Sequence, residues 1–203
     1  LAFVCWKKAG IVVIHWDKKS KREIIMNVSL RQIVYASLFT ALIIVGGYLS
    51  LPVPFSPVPL VLADFFALLA GLTLGAAWGA VAVGLYILLG ALGLPVFAGG
   101  KAGLAVFFGP TAGFVLGYLV GTVVAGWLAT SGSSTRIKDG LAIGCGFLAV
   151  FVCGVVGLGI VLRLQLPRAV LLGLLPYLPG TLIKAMVLWW GLPRLREMVK
   201  KSD

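Results

Sequence analysis

The sequence predicts an all-α, polytopic membrane protein with six transmembrane helices and a structured external loop between the third and fourth. Three observations carry this. First, 61% of the 203 residues are hydrophobic and only 11% are charged, about half the charged share of a soluble domain. Mean hydropathy is +1.10. A soluble chain of this length has no interior large enough for that apolar surface, whereas a multi-span membrane protein leaves it facing lipid. Second, apolar runs of spanning length recur along the chain, parted by Pro, Gly or charged breaks. Third, seven of the 17 Lys and Arg lie in residues 1–31 and four lie after Leu192. Two basic ends are a topological signal rather than a nucleic-acid stripe, and with an even number of spans they place both termini in the cytoplasm. The loops follow the rule in part: Arg136 and Lys138 fall inside, while Lys101, Arg163 and Arg168 fall outside.

Residues 1–25 alternate short apolar runs with lysines. They lack the apolar core and small-residue cleavage site of a signal peptide and are too broken to span a bilayer. Met26 stands just before the first clean membrane pattern, so 26–203 is expected as the six-helix domain and 1–25 as a cytoplasmic extension or the product of an upstream start. Helix 1 is expected over 30–51. Its small-residue pairs, Ser37 with Ala41 and Ala36 with Thr40, suit either packing inside the bundle or docking of a partner subunit. Four prolines in eight residues, Pro52 to Pro59, forbid helix and imply an extended, stiff connector. Helix 2 (59–75) and helix 3 (78–92) follow as a tight hairpin with almost no loop.

The stretch 94–118 reads as the organising centre: a glycine-punctuated apolar flap, then Gly109-Pro110-Thr111, then helix 4 over 109–130. Proline suits a first helical turn, whose free amides make a natural anion site. Gly109, Gly113, Gly117, Gly121 and Ala125 recur at steps of four and give that helix a smooth packing face. A polar loop (131–139) precedes helix 5 (140–162). Helix 6 (171–192) is broken early by Pro176 and Pro179.

Two ionisable residues fall within expected spans, Asp64 and Lys184. Each costs about 2.5–3.5 kcal/mol at mid-bilayer, so each is a functional-site candidate. Asp64 stands five residues past Pro59 and Lys184 five past Pro179, which places both roughly 7–8 Å below the outer surface and beneath the 94–104 flap. Helices 2, 4 and 6 point their partly positive N-termini at the same region, so with Lys184 the site favours a carboxylate or another small anion. Phe97, Phe107 and Phe108 are candidates to cover an apolar body. Thr111, Thr181 and Tyr177 are candidate polar lining. A pairing of Asp64 with Lys184 merely to carry two charges through lipid is the competing reading. The chain has no G-x-x-x-x-G-K-[ST] loop for ATP. Its one histidine, His15, offers no span a nucleophile–base pair or the usual metal spacing, so no enzyme and no metal site is expected.

On PVPFSPVPL followed by LLAGLTLG, on LGLPVFAGGKAGL, GPTAGFVLGY and YLPGTLIKA, the sequence resembles the BioY family, the substrate-binding S components of energy-coupling-factor (ECF) biotin transporters. The resemblance covers Met26 to about Leu195. It implies a six-helix fold in a bacterial inner membrane, high-affinity capture of biotin at the outer face, and coupling to a transmembrane T subunit and two cytoplasmic ATPases. Helix 1 docking would fall to Ser37 and Ala41, or to Ala36 and Thr40. Lys184 matches the lysine that meets the biotin carboxylate, and Gly99, Gly100 and the Lys101 region would form the lid over the ring. Thr181 stands where the family usually has an aspartate, and Val61 and Ala63 where it often has Thr-x-Gln. Asp64 is then the expected replacement for the lost charge. An S component for another small carboxylate vitamin, or a structural membrane subunit that binds nothing, are the alternatives.

Overall fold

The computed structural model describes residues 4–6, 11–13, 30–54, 56–130 and 135–201. Leu1–Val34 and Tyr35–Asp203 form separate compact units. In the first, β1 (Val4–Trp6) pairs antiparallel with β2 (Ile11–Val13), Val4 opposite Val13, and α1 (Leu30–Tyr48) begins at its end. Met26 and the expected boundary beside it lie outside the described residues.

The larger unit is helical. Five helical stretches are long and apolar enough to cross a membrane: Leu30–Tyr48, Ala63–Ala91, Ala112–Thr130, Arg136–Leu162 and Leu166–Glu197. Fully buried side chains from most of them meet at the centre, Ile43, Leu68, Val83, Leu158, Leu188 and Leu192. The lipid-side faces of the same helices leave large apolar residues such as Leu148, Ile160 and Met186 exposed, as a hydrocarbon solvent permits.

The proline-rich connector is not extended. A stiff polyproline segment of eight residues would part its ends by roughly 25 Å. Instead β3 (Ser50–Leu51) pairs antiparallel with β4 (Leu60–Val61), Ser50 opposite Val61, so the connector doubles back as a loop over 52–59. Its turn is held by the Ser56 amide donating to the Val53 carbonyl and the Val58 amide donating to Ser56 Oγ. Because 60–61 is strand, helix 2 begins at Ala63 rather than at Pro59.

The helix α2 (Ala63–Ala91) is broken at Gly75, whose φ of 82° and ψ of 174° are open to glycine and strained for other residues. A Cβ placed on Gly79 would lie 2.7 Å from the Cα of Gly71. In an unbroken helix those positions are roughly 12 Å apart. The two arms of α2 therefore fold back on each other, and only a pair of glycines admits so close an approach. This is the loop-free hairpin the sequence implied. The carbonyls just before the break lack intrahelical partners, and that of Leu72 accepts from Arg196 Nε at 3.1 Å.

The glycine face of α3 (Ala112–Thr130) packs on α4 (Arg136–Leu162). Gly113 backs onto Gly157, Gly117 onto Val150, and Gly121 onto Gly146, with no room for a Cβ at any of the three. Gly109 falls before the helix, in the turn that leads into it. The α4 helix starts four residues earlier than the expected Gly140, because Thr135 caps it by accepting from the Lys138 amide at 3.4 Å.

Helix 6 divides into α5 (Leu166–Gly173), a 3-10 turn at Leu175–Tyr177, and α6 (Leu178–Lys201). The α6 helix runs through Pro193, where the expected helix stopped. Proline removes the amide that would bond the carbonyl four residues back. That carbonyl, on Trp189, accepts instead from Arg136 Nη1 at 3.3 Å, and Trp189 Nε1 donates to the Arg136 carbonyl at 3.0 Å. A bond from another helix lets the proline stay inside.

Candidate functional site

Three elements converge on one buried ion pair. Asp64 lies in the first turn of α2, where a helix N-terminus favours an anion, and its Oδ1 accepts from the Phe65 amide at 2.9 Å. Its Oδ2 is 2.5 Å from Lys184 Nζ on α6. Lys184 also donates to the Val61 carbonyl on β4 at 3.2 Å. Both residues are 7% exposed. An ammonium has three donors, and two are used here. The similar depth inferred from the two prolines is met by the contact between Asp64 and Lys184, although residues 59–61 are not helical.

Around the pair lies a chamber in two narrow compartments of about 20 and 30 Å³, each enough for a water or two. They share Val58, Pro59, Val61, Phe114 and Tyr118 as walls. Asp64, Lys184, Thr181 and Tyr177 line one compartment, and Phe97, Thr111 and Lys101 line the other. Thr181 sits one turn before Lys184 on the same helix face. Its hydroxyl is buried and has no hydrogen-bond partner among the described residues. Buried hydroxyls are normally paired, so an unpaired one on a chamber wall, beside an ammonium with a donor to spare, suits a polar ligand.

The other candidates divide by role. The Tyr177 hydroxyl donates to the Val58 carbonyl and lies 2.7 Å from Ser56 Oγ, whose own proton it can accept, which pins the 52–59 loop to the start of α6. Phe97 is 1% exposed. Its ring packs edge-on to Tyr86 and Phe107, at 5.4 and 5.8 Å between centroids, and under Gly90, where a Cβ would collide with it. The flap is anchored there by its phenylalanine, and at the end of α1 by Tyr48, whose hydroxyl donates to the Pro95 carbonyl. Phe108 is 81% exposed and turns away from the chamber. Gly99 and Gly100, at φ of 69° and 76°, shape the flap without lining either compartment. Thr111 leads into α3, its carbonyl accepting from the Phe114 and Val115 amides.

On α1 the two small-residue pairs lie on different faces, about 100° apart around the helix. Ala36 and Thr40 are buried, Thr40 donating to the Ala82 carbonyl at 2.9 Å. Ser37 and Ala41 are exposed. Sequence reasoning passed over Phe114 and Tyr118, which follow Thr111 at +3 and +7 and so lie on one helix face. It also placed Asp139 in a loop and Arg196 in a tail. Both lie in helices, and Arg196 Nη1 meets Asp139 Oδ1 at 2.7 Å, so the chain holds a second, partly buried ion pair far from the first.

The chain resembles known proteins over most of its length. Residues 18–201 match the BioY family. The biotin transporter BioY of Thermotoga maritima is 38% identical over 168 residues, which cover 78% of this chain and 91% of that protein. The biotin transporter BioY of Rhizobium etli is also 38% identical, covering 78% and 89%. Among solved structures, the S-component for biotin from an ECF-type ABC transporter superposes with a TM-score of 0.75 at 28% identity, covering 90% of this chain and 95% of that one. A family match over residues 18–201, relatives 38% identical over most of their own length and a fold shared across 90% of the chain leave one conclusion: this chain is a membrane protein belonging to the BioY family.

Proposed function

We propose that the chain is the membrane-embedded, high-affinity biotin-binding subunit of an ECF-type vitamin uptake transporter. The observation that carries this is Lys184, held by Asp64 and the Val61 carbonyl at the wall of a chamber with an unpaired threonine hydroxyl. A carboxylate takes the remaining ammonium donor, a charge-assisted bond, and the ligand's ring lies among Phe97, Phe114 and Tyr118. Asp64, Thr181, Thr111 and Tyr177 supply polar contacts, and Gly99 and Gly100 let the flap follow the ring. The compartments are smaller than the ligand, so binding moves their walls. Equilibrium binding of radiolabelled biotin to the purified protein tests the reading: saturable, tight binding with weaker competition by dethiobiotin and lipoate is expected, and its absence would refute it. Thr181, standing where an aspartate is expected, favours one second reading, another small carboxylate vitamin as ligand. Stronger competition by lipoate than by biotin would select it.

In this reading the two arms of α2 cross separately, giving six crossings in a bacterial inner membrane with both termini cytoplasmic. The chain itself carries no ATP-binding loop, so energy comes from a T subunit and two cytoplasmic ATPases. Docking falls to the exposed pair, Ser37 and Ala41, because Ala36 and Thr40 are used inside. Changing Ser37 and Ala41 together to leucine is expected to abolish co-purification with a T subunit while leaving biotin affinity within twofold. Retained co-purification would move the docking face elsewhere.

A further inference from the structure

Behind the ion pair, on the other side of β4 from the chamber, lies a groove of about 510 Å³. It runs between the end of α1 and α6. Tyr48, Leu51, Leu62, Gly180 and Ile183 line it, and Lys184 with Leu60 and Val61 forms the wall it shares with the inner chamber. Its volume is in the range of small-molecule sites, roughly 300–1,000 Å³, and far exceeds that of the chamber compartments. Its lining is apolar apart from Lys184 and the ends of Tyr48 and Ser50. Leu51 and Ile183 are 66% and 64% exposed, so the groove opens sideways, at the level of membrane-spanning residues.

We infer that this groove accepts an aliphatic extension on the carboxyl end of the ligand, so that the site takes N-alkyl amides of biotin as well as the free acid. The inference rests on the proposed function. An acid held at Lys184 ends at the partition, and only the Lys184 side chain and the Leu60–Val61 strand separate it from the groove. Continuing the chain past the carbonyl, with the Lys184 side chain swung aside, leads across this thin partition into apolar space on its far side. An amide forfeits the charge on the acid but keeps a carbonyl acceptor for the ammonium. Each added methylene then leaves water for the groove, a gain of up to about fourfold in affinity. Gly180 makes room for this: its missing side chain faces Leu60, whose Cδ1 would stand 3.3 Å from a Cβ there.

The test is a competition series of N-methyl, N-butyl, N-hexyl and N-octyl biotinamide against labelled biotin, on the full chain and on two groove-filling variants, Gly180→Leu and Ile183→Trp. The expected result is affinity that climbs at least tenfold from methyl to hexyl in the unaltered protein. In both variants the climb disappears while free biotin binds within twofold of normal. A flat or falling series, or a climb that survives both fillings as simple partition into detergent would, overturns the inference with biotin binding intact. Failure of free biotin to bind the unaltered protein overturns the underlying reading instead.

Discussion

Changing Lys184 to methionine is expected to weaken biotin binding by roughly 10- to 150-fold, the worth of a hydrogen bond to a charged group, and to lower stability by about 3–5 kcal/mol. The second effect arises because Asp64 is left in the interior with the Phe65 amide but no cation. The two effects separate in a double variant. Asp64→Asn with Lys184→Met replaces both charges, so thermal unfolding in detergent recovers most of the lost stability while calorimetry still finds binding impaired. Recovery of both would mean that the pair only carries two charges through the membrane. If, as proposed, Asp64 supplies the charge of the aspartate missing at Thr181, Asp64→Asn alone is expected to weaken biotin at least tenfold. An unchanged affinity would remove Asp64 from the site.

The second large effect belongs to the far end of the bundle. Arg196→Leu takes the guanidinium from Asp139, whose side chain is 4% exposed, and from the Leu72 carbonyl at the break in α2. Removing one partner of a fully buried pair costs about 3–5 kcal/mol; here the arginine is partly exposed, so the loss falls towards or below the lower end of that range, and the midpoint of thermal unfolding is expected to fall accordingly. Biotin affinity is expected to hold within twofold, because twelve residues of α6 separate Arg196 from Lys184, roughly 18 Å. A tenfold loss of affinity in folded protein would show that the clamp at Arg196 reaches the ligand site.

These two ion pairs differ in how far the sequence reveals them. Asp64 and Lys184 stand out because each is a charge inside an apolar run, and lipid tolerates such a residue only with a partner. Asp139 and Arg196 lie among other charged residues, next to Lys138 and Arg194, and look like loop and tail. What buries them is the early start of α4, set by the Thr135 cap, and the passage of α6 through Pro193, which depends on Arg136 reaching Trp189 from another helix. Neither is a local property. The small residues on α1 show the same limit: Ala36, Ser37, Thr40 and Ala41 are equivalent as spacing, and only the position of Ala82 decides that the Thr40 side of the helix faces inward.

By itself the sequence determined the solvent, the run of apolar helices, the hairpin at Gly75, the packing face of α3 and the two residues most costly to bury. Each of these follows from composition or from periodicity along a single element. Tertiary structure alone decided that the proline loop doubles back, that Phe97 anchors the flap beneath Gly90, that Thr181 is left without a partner, and that an open groove lies behind Lys184. Those depend on which surfaces meet across long stretches of chain, and the energy of such a meeting belongs to a pair of elements, so it is written in neither one.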